Sequence, residues 1–155
     1  MGVDVHAFAE DRTGRKLVLG GVEIPFERGL LGHSDADVLA HAVTDALLGA
    51  AGLEDIGHYF PDTDESFKDA DSLKLLREAR YIVGESWKVS NVDAVVICER
   101  PKIRDYREAM RESLADALSV ESSRVSVRGT TTERLGFTGR AEGIAAQAVC
   151  LLEGR

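Results

Sequence analysis

Asp4 and His6 form a D-x-H pair within Val3–Phe8 (VDVHAF), a stretch that alternates as a strand does. In a strand, positions i and i+2 point to the same face about 6.6 Å apart along the chain. A carboxylate and an imidazole therefore converge on one side of it. His41 lies in a helical segment, one turn after Asp37 and two turns after His33. If that helix packs beside the first strand, Asp4, His6 and His41 make a two-histidine, one-carboxylate set. Three protein ligands leave a fourth position open, the arrangement of catalytic zinc. Nitrogen and oxygen donors without a thiolate make zinc the first choice, with manganese and iron as alternatives. Spacing alone also accommodates a surface strand with two solvated side chains and a helix histidine bonded to one backbone group. Asp37 is expected to orient His41 from behind the metal.

The elements that carry these residues follow from periodicity and punctuation. Lys16–Ile24 (KLVLGGVEI) reads as two short strands joined at Gly20-Gly21, a two-residue hairpin signal. Asp35–Leu53 reads as a helix with Val38, Ala42, Val43, Ala46, Leu47 and Ala50 on one stripe. Ser34 or Asp35 is expected to cap it and Gly52 to end it. A second helix spans Ser72–Val83 and stops at Gly84; a third spans Arg104–Leu118, with Tyr106, Met110, Leu114 and Leu118 at four-residue intervals. Val89–Glu99 and Arg124–Gly129 read as strands, as does Ile144–Leu152, although its alanines leave a helix open. These elements predict one α+β domain over residues 1–155. It is an α/β sandwich with a mixed β-sheet, helices packed on one face and a small N-terminal hairpin.

Composition bounds the function. Nineteen Lys+Arg against 27 Asp+Glu give a formal net charge of −8. That balance argues against duplex nucleic acid and against anionic membrane surfaces, both of which are held by clustered basic residues. A phosphorylated small molecule would need something other than bulk charge to attract it. Cys98 and Cys150 sit in separate apolar runs with no metal-site spacing, so both are expected as buried free thiols of a cytoplasmic protein. The N-terminal segment has no basic run followed by an apolar core, so no secretory leader is expected.

Further motifs occur in a fixed order: HSDADV (33–38) with His41, DIG (55–57), FPDTD (60–64), RPK (100–102) and TTTERLGFTGR (130–140). With the opening DVH, this set resembles the 2-C-methyl-D-erythritol 2,4-cyclodiphosphate synthase family over essentially the whole chain. The resemblance implies a homotrimer with active sites between subunits, in the non-mevalonate route to isoprenoid precursors. It assigns zinc to Asp4, His6 and His41, and a second divalent cation, Mg²⁺ or Mn²⁺, to Glu133. The substrate is a cytidine diphosphate ester of methylerythritol 2-phosphate; its 2-phosphate attacks the β-phosphorus and expels CMP.

The resemblance also distributes the remaining roles. His33 and Thr131 would stabilise the transition state on the phosphates with Ser34, and Thr130 and Thr132 would bind the substrate. Asp55, Ile56 and Gly57, with Phe60, Pro61, Asp62, Thr63 and Asp64, would grip the hydroxylated carbon chain. Phe137 and Arg140 would complete the substrate site, and Cys98, Pro101, Lys102 and Ile103 would receive the cytosine ring. Each motif has a plainer reading. His33-Ser34 lies where a helix N-terminus favours an anion, but the residues also suit a cap. Thr130 and Glu133 have the spacing of a capping box, and DIG and FPDTD suit turns. His58 matches no required position and is read as a surface histidine. Only Met1-Gly2-Val3 precede Asp4, so the first strand is expected to begin short, and Glu99 and Arg100 depart from the residues of some relatives. With water in place of the internal phosphate, the same metal set would serve a phosphohydrolase, for which no general base is evident. A structural zinc would need a fourth protein ligand that the spacing does not supply.

Overall fold

The computed structural model describes residues 1–10 and 14–155. Among the described residues, six strands and five α-helices follow in the order β1 (Gly2–Ala7), β2 (Leu17–Leu19), β3 (Val22–Ile24), α1 (Val38–Ala50), α2 (Ile56–Tyr59), α3 (Ser72–Val83), β4 (Trp87–Ile97), α4 (Arg107–Leu118), β5 (Val125–Thr130), α5 (Gly136–Gly139) and β6 (Gly143–Gly154). The main sheet has the order β1-β6-β4-β5; β4 and β5 run parallel and the other pairs antiparallel. Parallel neighbours need a long crossover, and α4 supplies it. The expected mixed sheet with helices on one face is present, and the final Ala-rich segment is strand β6.

Alternation in the strands decides the layering. Inward positions such as Val92, Ala94 and Val96 of β4, with Ile144, Ala146 and Ala148 of β6, are buried. Against them lies α1, which also packs on β1; α3 and α4 extend the helical layer. The alanines of β6 let α1 lie close to the sheet. The one-stripe expectation for α1 is too narrow: Leu39, Ala40, Thr44 and Leu48 are buried as well, and Ala50 is exposed. Helices on one side and the sheet on the other enclose α1, so its apolar surface is nearly continuous.

Two glycine positions fix how the site-bearing elements meet. A Cβ on Gly2 would stand 2.1 Å from the Ala42 carbonyl oxygen and 2.5 Å from the Ala46 nitrogen, so only glycine lets β1 press on the α1 backbone there. At Gly20-Gly21 both φ angles are positive (56° and 75°), as a tight two-residue hairpin requires. The hairpin β2–β3 is therefore as expected. Met1-Gly2-Val3 does not fray β1, which pairs with β6 from Gly2↔Ala148 to Ala7↔Gly143. Among the described residues no helix is long and apolar enough to cross a membrane.

Candidate metal centre and nucleotide hollow

On β1, Asp4 and His6 turn toward the helices while Val3 and Val5 face outward. The close approach at Gly2 brings His41 of α1 to them. Oδ2 of Asp4 lies 2.9 Å from Nε2 of His6 and 3.0 Å from Nδ1 of His41, and the two ring nitrogens are 3.3 Å apart. All three candidate ligand atoms fall within 4.8 Å of one another. Among the described residues this is the only such group of three.

The chemistry of the donor set fits a cation. Nδ1 of His6 lies 2.6 Å from the Leu31 carbonyl oxygen. A carbonyl only accepts, so Nδ1 carries a ring proton and Nε2 is the nitrogen turned inward, able to offer its lone pair to a cation. Burial works against charge at both groups. Even so, hydrogen bonds from His41 and His6 hold the Asp4 carboxyl well below its ordinary range. Burial likewise opposes charge on His6, but the Asp4 hydrogen bond raises its pKa. A site that sets an ionised carboxylate against two imidazole nitrogens is suited to a divalent metal.

Asp37 does not orient His41. Its side chain is fully buried and turned toward the hairpin. Oδ1 accepts from the N–H groups of Gly20 (2.8 Å) and Ala40 (3.0 Å), and Oδ2 from Gly21 (2.7 Å). Burial pushes its carboxyl up to about 6 against the pull of these donors. Asp37, rather than Ser34 or Asp35, is the α1 cap. The helix N-terminus is thus closed by a carboxylate, and His33-Ser34 lies outside it in the preceding loop. That loop is held by Arg15, whose Nη2 donates to the carbonyls of Gly32 and Ser34.

A hollow of about 420 Å³ opens on the three ligands and is also walled by His33, Ser34, Ile56, Gly57, Phe60 and Asp62. Nε2 of His33 donates to the Asp64 carbonyl oxygen (3.2 Å), tying the histidine loop to the FPDTD loop. Asp55 caps α2 through the His58 N–H. Asp55, Pro61, Thr63 and Asp64 do not line the hollow. Sequence reasoning missed Gly32, Phe67 and Leu75, which also line the hollow; as apolar residues they carried no chemical signal. His58 is exposed and packs edge-on against Tyr59.

The other motifs gather elsewhere. Cys98, Pro101, Lys102 and Ile103 line a second hollow of about 360 Å³ with Arg104, Arg107, Gly129, Thr130 and Thr131. No residue lines both hollows. The Thr131 hydroxyl donates to Oε1 of Glu133 (2.7 Å), and Thr132 donates to the Leu135 carbonyl. The segment makes no capping box: α5 begins after Leu135, and neither Thr130 nor Glu133 caps it. Instead Glu99 anchors the loop, accepting from the N–H groups of Thr132 (3.2 Å) and Arg134 (3.1 Å). Arg140 lines neither hollow and pairs with Glu142 at the surface (2.8 Å), and Phe137 is half exposed. Cys98 and Cys150 are buried free thiols, pushed up to about 11 by burial.

A model of the YgbB family matches residues 1–153. The 2-C-methyl-D-erythritol 2,4-cyclodiphosphate synthase of Rubrobacter xylanophilus is 82% identical over 99% of this chain and 93% of its own length. The protein of the same name from Prosthecochloris aestuarii is 56% identical over 99% and 96%. In structure, the chain is similar to IspF of Plasmodium falciparum in complex with CDP. The TM-score is 0.85 at 34% identity, covering 99% of this chain and 94% of that one.

Proposed function

The chain belongs to the YgbB family, and from that premise we propose that it is a 2-C-methyl-D-erythritol 2,4-cyclodiphosphate synthase acting in the non-mevalonate isoprenoid pathway. It converts 4-diphosphocytidyl-2-C-methyl-D-erythritol 2-phosphate to the 2,4-cyclodiphosphate and CMP. The observation that carries this reading is the convergence of Asp4, His6 and His41 in a hollow shared with His33 and Ser34.

The reaction asks little covalent chemistry of the protein. A phosphate monoester has a second pKa near 6, so the attacking oxygen is already ionised at neutral pH. It bonds to the β-phosphorus as the bond from that phosphorus to the bridging oxygen breaks, and CMP leaves with the electron pair. Positioning and charge neutralisation remain. When bound at Asp4, His6 and His41, zinc would polarise a β-phosphoryl oxygen. His33 and Ser34 bind the phosphates from the loop beside it, and Thr131, from the second hollow, hydrogen-bonds them from the other side. Glu133 would offer a carboxylate to a second divalent cation, Mg²⁺ or Mn²⁺, which would neutralise phosphate charge when bound. Cytosine enters the hollow walled by Pro101 and Lys102. The protein works as a metal-dependent phosphorus–oxygen lyase in the cytoplasm.

A trimer with active sites between subunits accounts for the separation of the two hollows: the metal centre of one chain faces the nucleotide hollow of its neighbour. The sheet face turned away from the helices supports this assembly. Val3, Val5, Val149 and Leu151 are 49%, 47%, 54% and 58% exposed there, an apolar patch that water-facing sheets avoid. Val149→Asp and Val5→Lys are expected to shift the mass in solution from three chains to one and to abolish turnover. A fully active monomer would refute the shared site.

Incubation with the cytidine diphosphate substrate, zinc and magnesium tests the whole reading. Equal amounts of CMP and cyclic diphosphate are expected. Release of inorganic phosphate instead would make the protein a hydrolase, and no turnover would leave the zinc a structural element.

A further inference from the structure

The face of His41 turned away from Asp4 meets Ser72, which lies in none of the motifs above, and through it Asp35, to which no chemical role has been given. Nε2 lies 2.8 Å from the hydroxyl of Ser72, the first residue of α3, and that hydroxyl also makes a short hydrogen bond with Oδ1 of Asp35. Ser72 is completely buried. Oδ2 of Asp35 takes the Ser72 backbone N–H at 3.1 Å, and Oδ1 the Asp37 N–H at 3.1 Å. A serine hydroxyl has one proton and the carboxylate can only accept. The proton therefore lies between Ser72 and Asp35, so the Ser72 oxygen is an acceptor toward His41. Nε2 of His41 then donates to that oxygen, which leaves Nδ1 as the nitrogen that faces Asp4 and His6 and offers its lone pair when a cation is bound. The Ser34 hydroxyl is farther from the same nitrogen, at 3.2 Å, and is backed by no carboxylate.

We infer that Asp35 and Ser72 are positioning residues for the metal centre: a buried carboxylate–hydroxyl–imidazole relay selects the His41 tautomer that ligates through Nδ1. The inference rests on the proposed metal reading. The relay also joins the loop before α1 to the start of α3, so the ring of His41 is clamped from two elements. Partners of this kind make an imidazole a better ligand, and their loss costs about 10- to 100-fold in metal affinity.

Zinc affinity measured by competition with a chelator, with the melting temperature read on the same samples, tests this. Ser72→Ala is expected to weaken zinc binding about 10- to 100-fold. Asp35→Asn, which keeps an acceptor but drops the charge, gives a smaller loss in the same direction. In proton NMR of the zinc-loaded protein, the slowly exchanging Nε2 proton of His41 is present in the wild type and absent in Ser72→Ala. Thr44→Val removes another buried hydroxyl, bonded to Ala40 on α1. It is expected to lower the melting temperature without changing zinc affinity, which separates tautomer selection from loss of stability. Ser72→Ala leaves the Asp71 cap of α3 in place, so it carries the test alone if Asp35→Asn does not fold. Unchanged zinc affinity and an unchanged His41 resonance in Ser72→Ala would overturn the relay. A wild-type protein that takes up no divalent metal would overturn the metal reading with it.

Discussion

His6→Ala and His41→Ala are each expected to lose bound zinc and turnover together. Turnover falls on the order of a thousandfold, equivalent to about 4 kcal/mol of transition-state stabilisation. The size follows from the net charge of −8 and from a hollow that already holds the Asp4 carboxylate. A substrate with three phosphoryl groups meets local positive charge there only when cations are bound. The same argument sets the response of the unmodified protein: chelation abolishes substrate binding, whereas moderate salt weakens it only modestly. Zinc content after dialysis, binding of the substrate by calorimetry, and CMP release are the three measurements. A His41→Ala protein that retains zinc and full activity would show that the ligand set is wrong.

Asp37→Ala is expected to have the largest effect on stability of any substitution near the site. Two buried N–H groups, from Gly20 and Ala40, and the part-buried one of Gly21 lose their acceptor at once. Unpaired buried polar groups cost about 1–3 kcal/mol each, and water entering the gap recovers part of this. A net loss of about 3 kcal/mol lowers the melting temperature by roughly 6–12 °C in a chain of this size. Zinc affinity of the folded fraction changes less than that of Ser72→Ala, because Asp37 touches His41 only through its backbone carbonyl. The opposite pattern, normal melting with lost zinc, would return Asp37 to the role its spacing suggests.

The contrast between Asp37 and Ser72 shows how far the sequence could be read. Strand alternation and the D-x-H spacing place Asp4 and His6 on one face, and the Gly20-Gly21 turn and most element boundaries follow from local rules. All three metal-ligand candidates meet as expected: period 2 puts Asp4 and His6 on one face, and the packing of α1 on β1 at Gly2 brings His41 to them. Ser34, Asp35 and Asp37, however, are equally good caps by residue type. Which of them closes α1 depends on a hairpin 16–17 residues earlier. Ser72 reads as an ordinary helix-start serine; its contact with His41 spans 31 residues, a pairing no local periodicity encodes. Nor does spacing reveal that the TTTE loop hangs on Glu99, or that Arg140 spends its guanidinium on Glu142 within its own chain.

The missing side chain at Gly2 has a consequence for how this protein can vary. The strand that bears two ligands touches the helix that bears the third through backbone atoms, with no methyl group between them. The bite of the metal centre is therefore set by a main-chain separation. Core leucines such as Leu47 or Leu76 can drift to other apolar residues and be accommodated by repacking, while the spacing of Asp4 from His41 holds. Any residue larger than glycine at position 2 has no such latitude, since it lengthens the distance across which a small cation must reach. Drift in the core is buffered; drift at that one contact is transmitted directly to the metal.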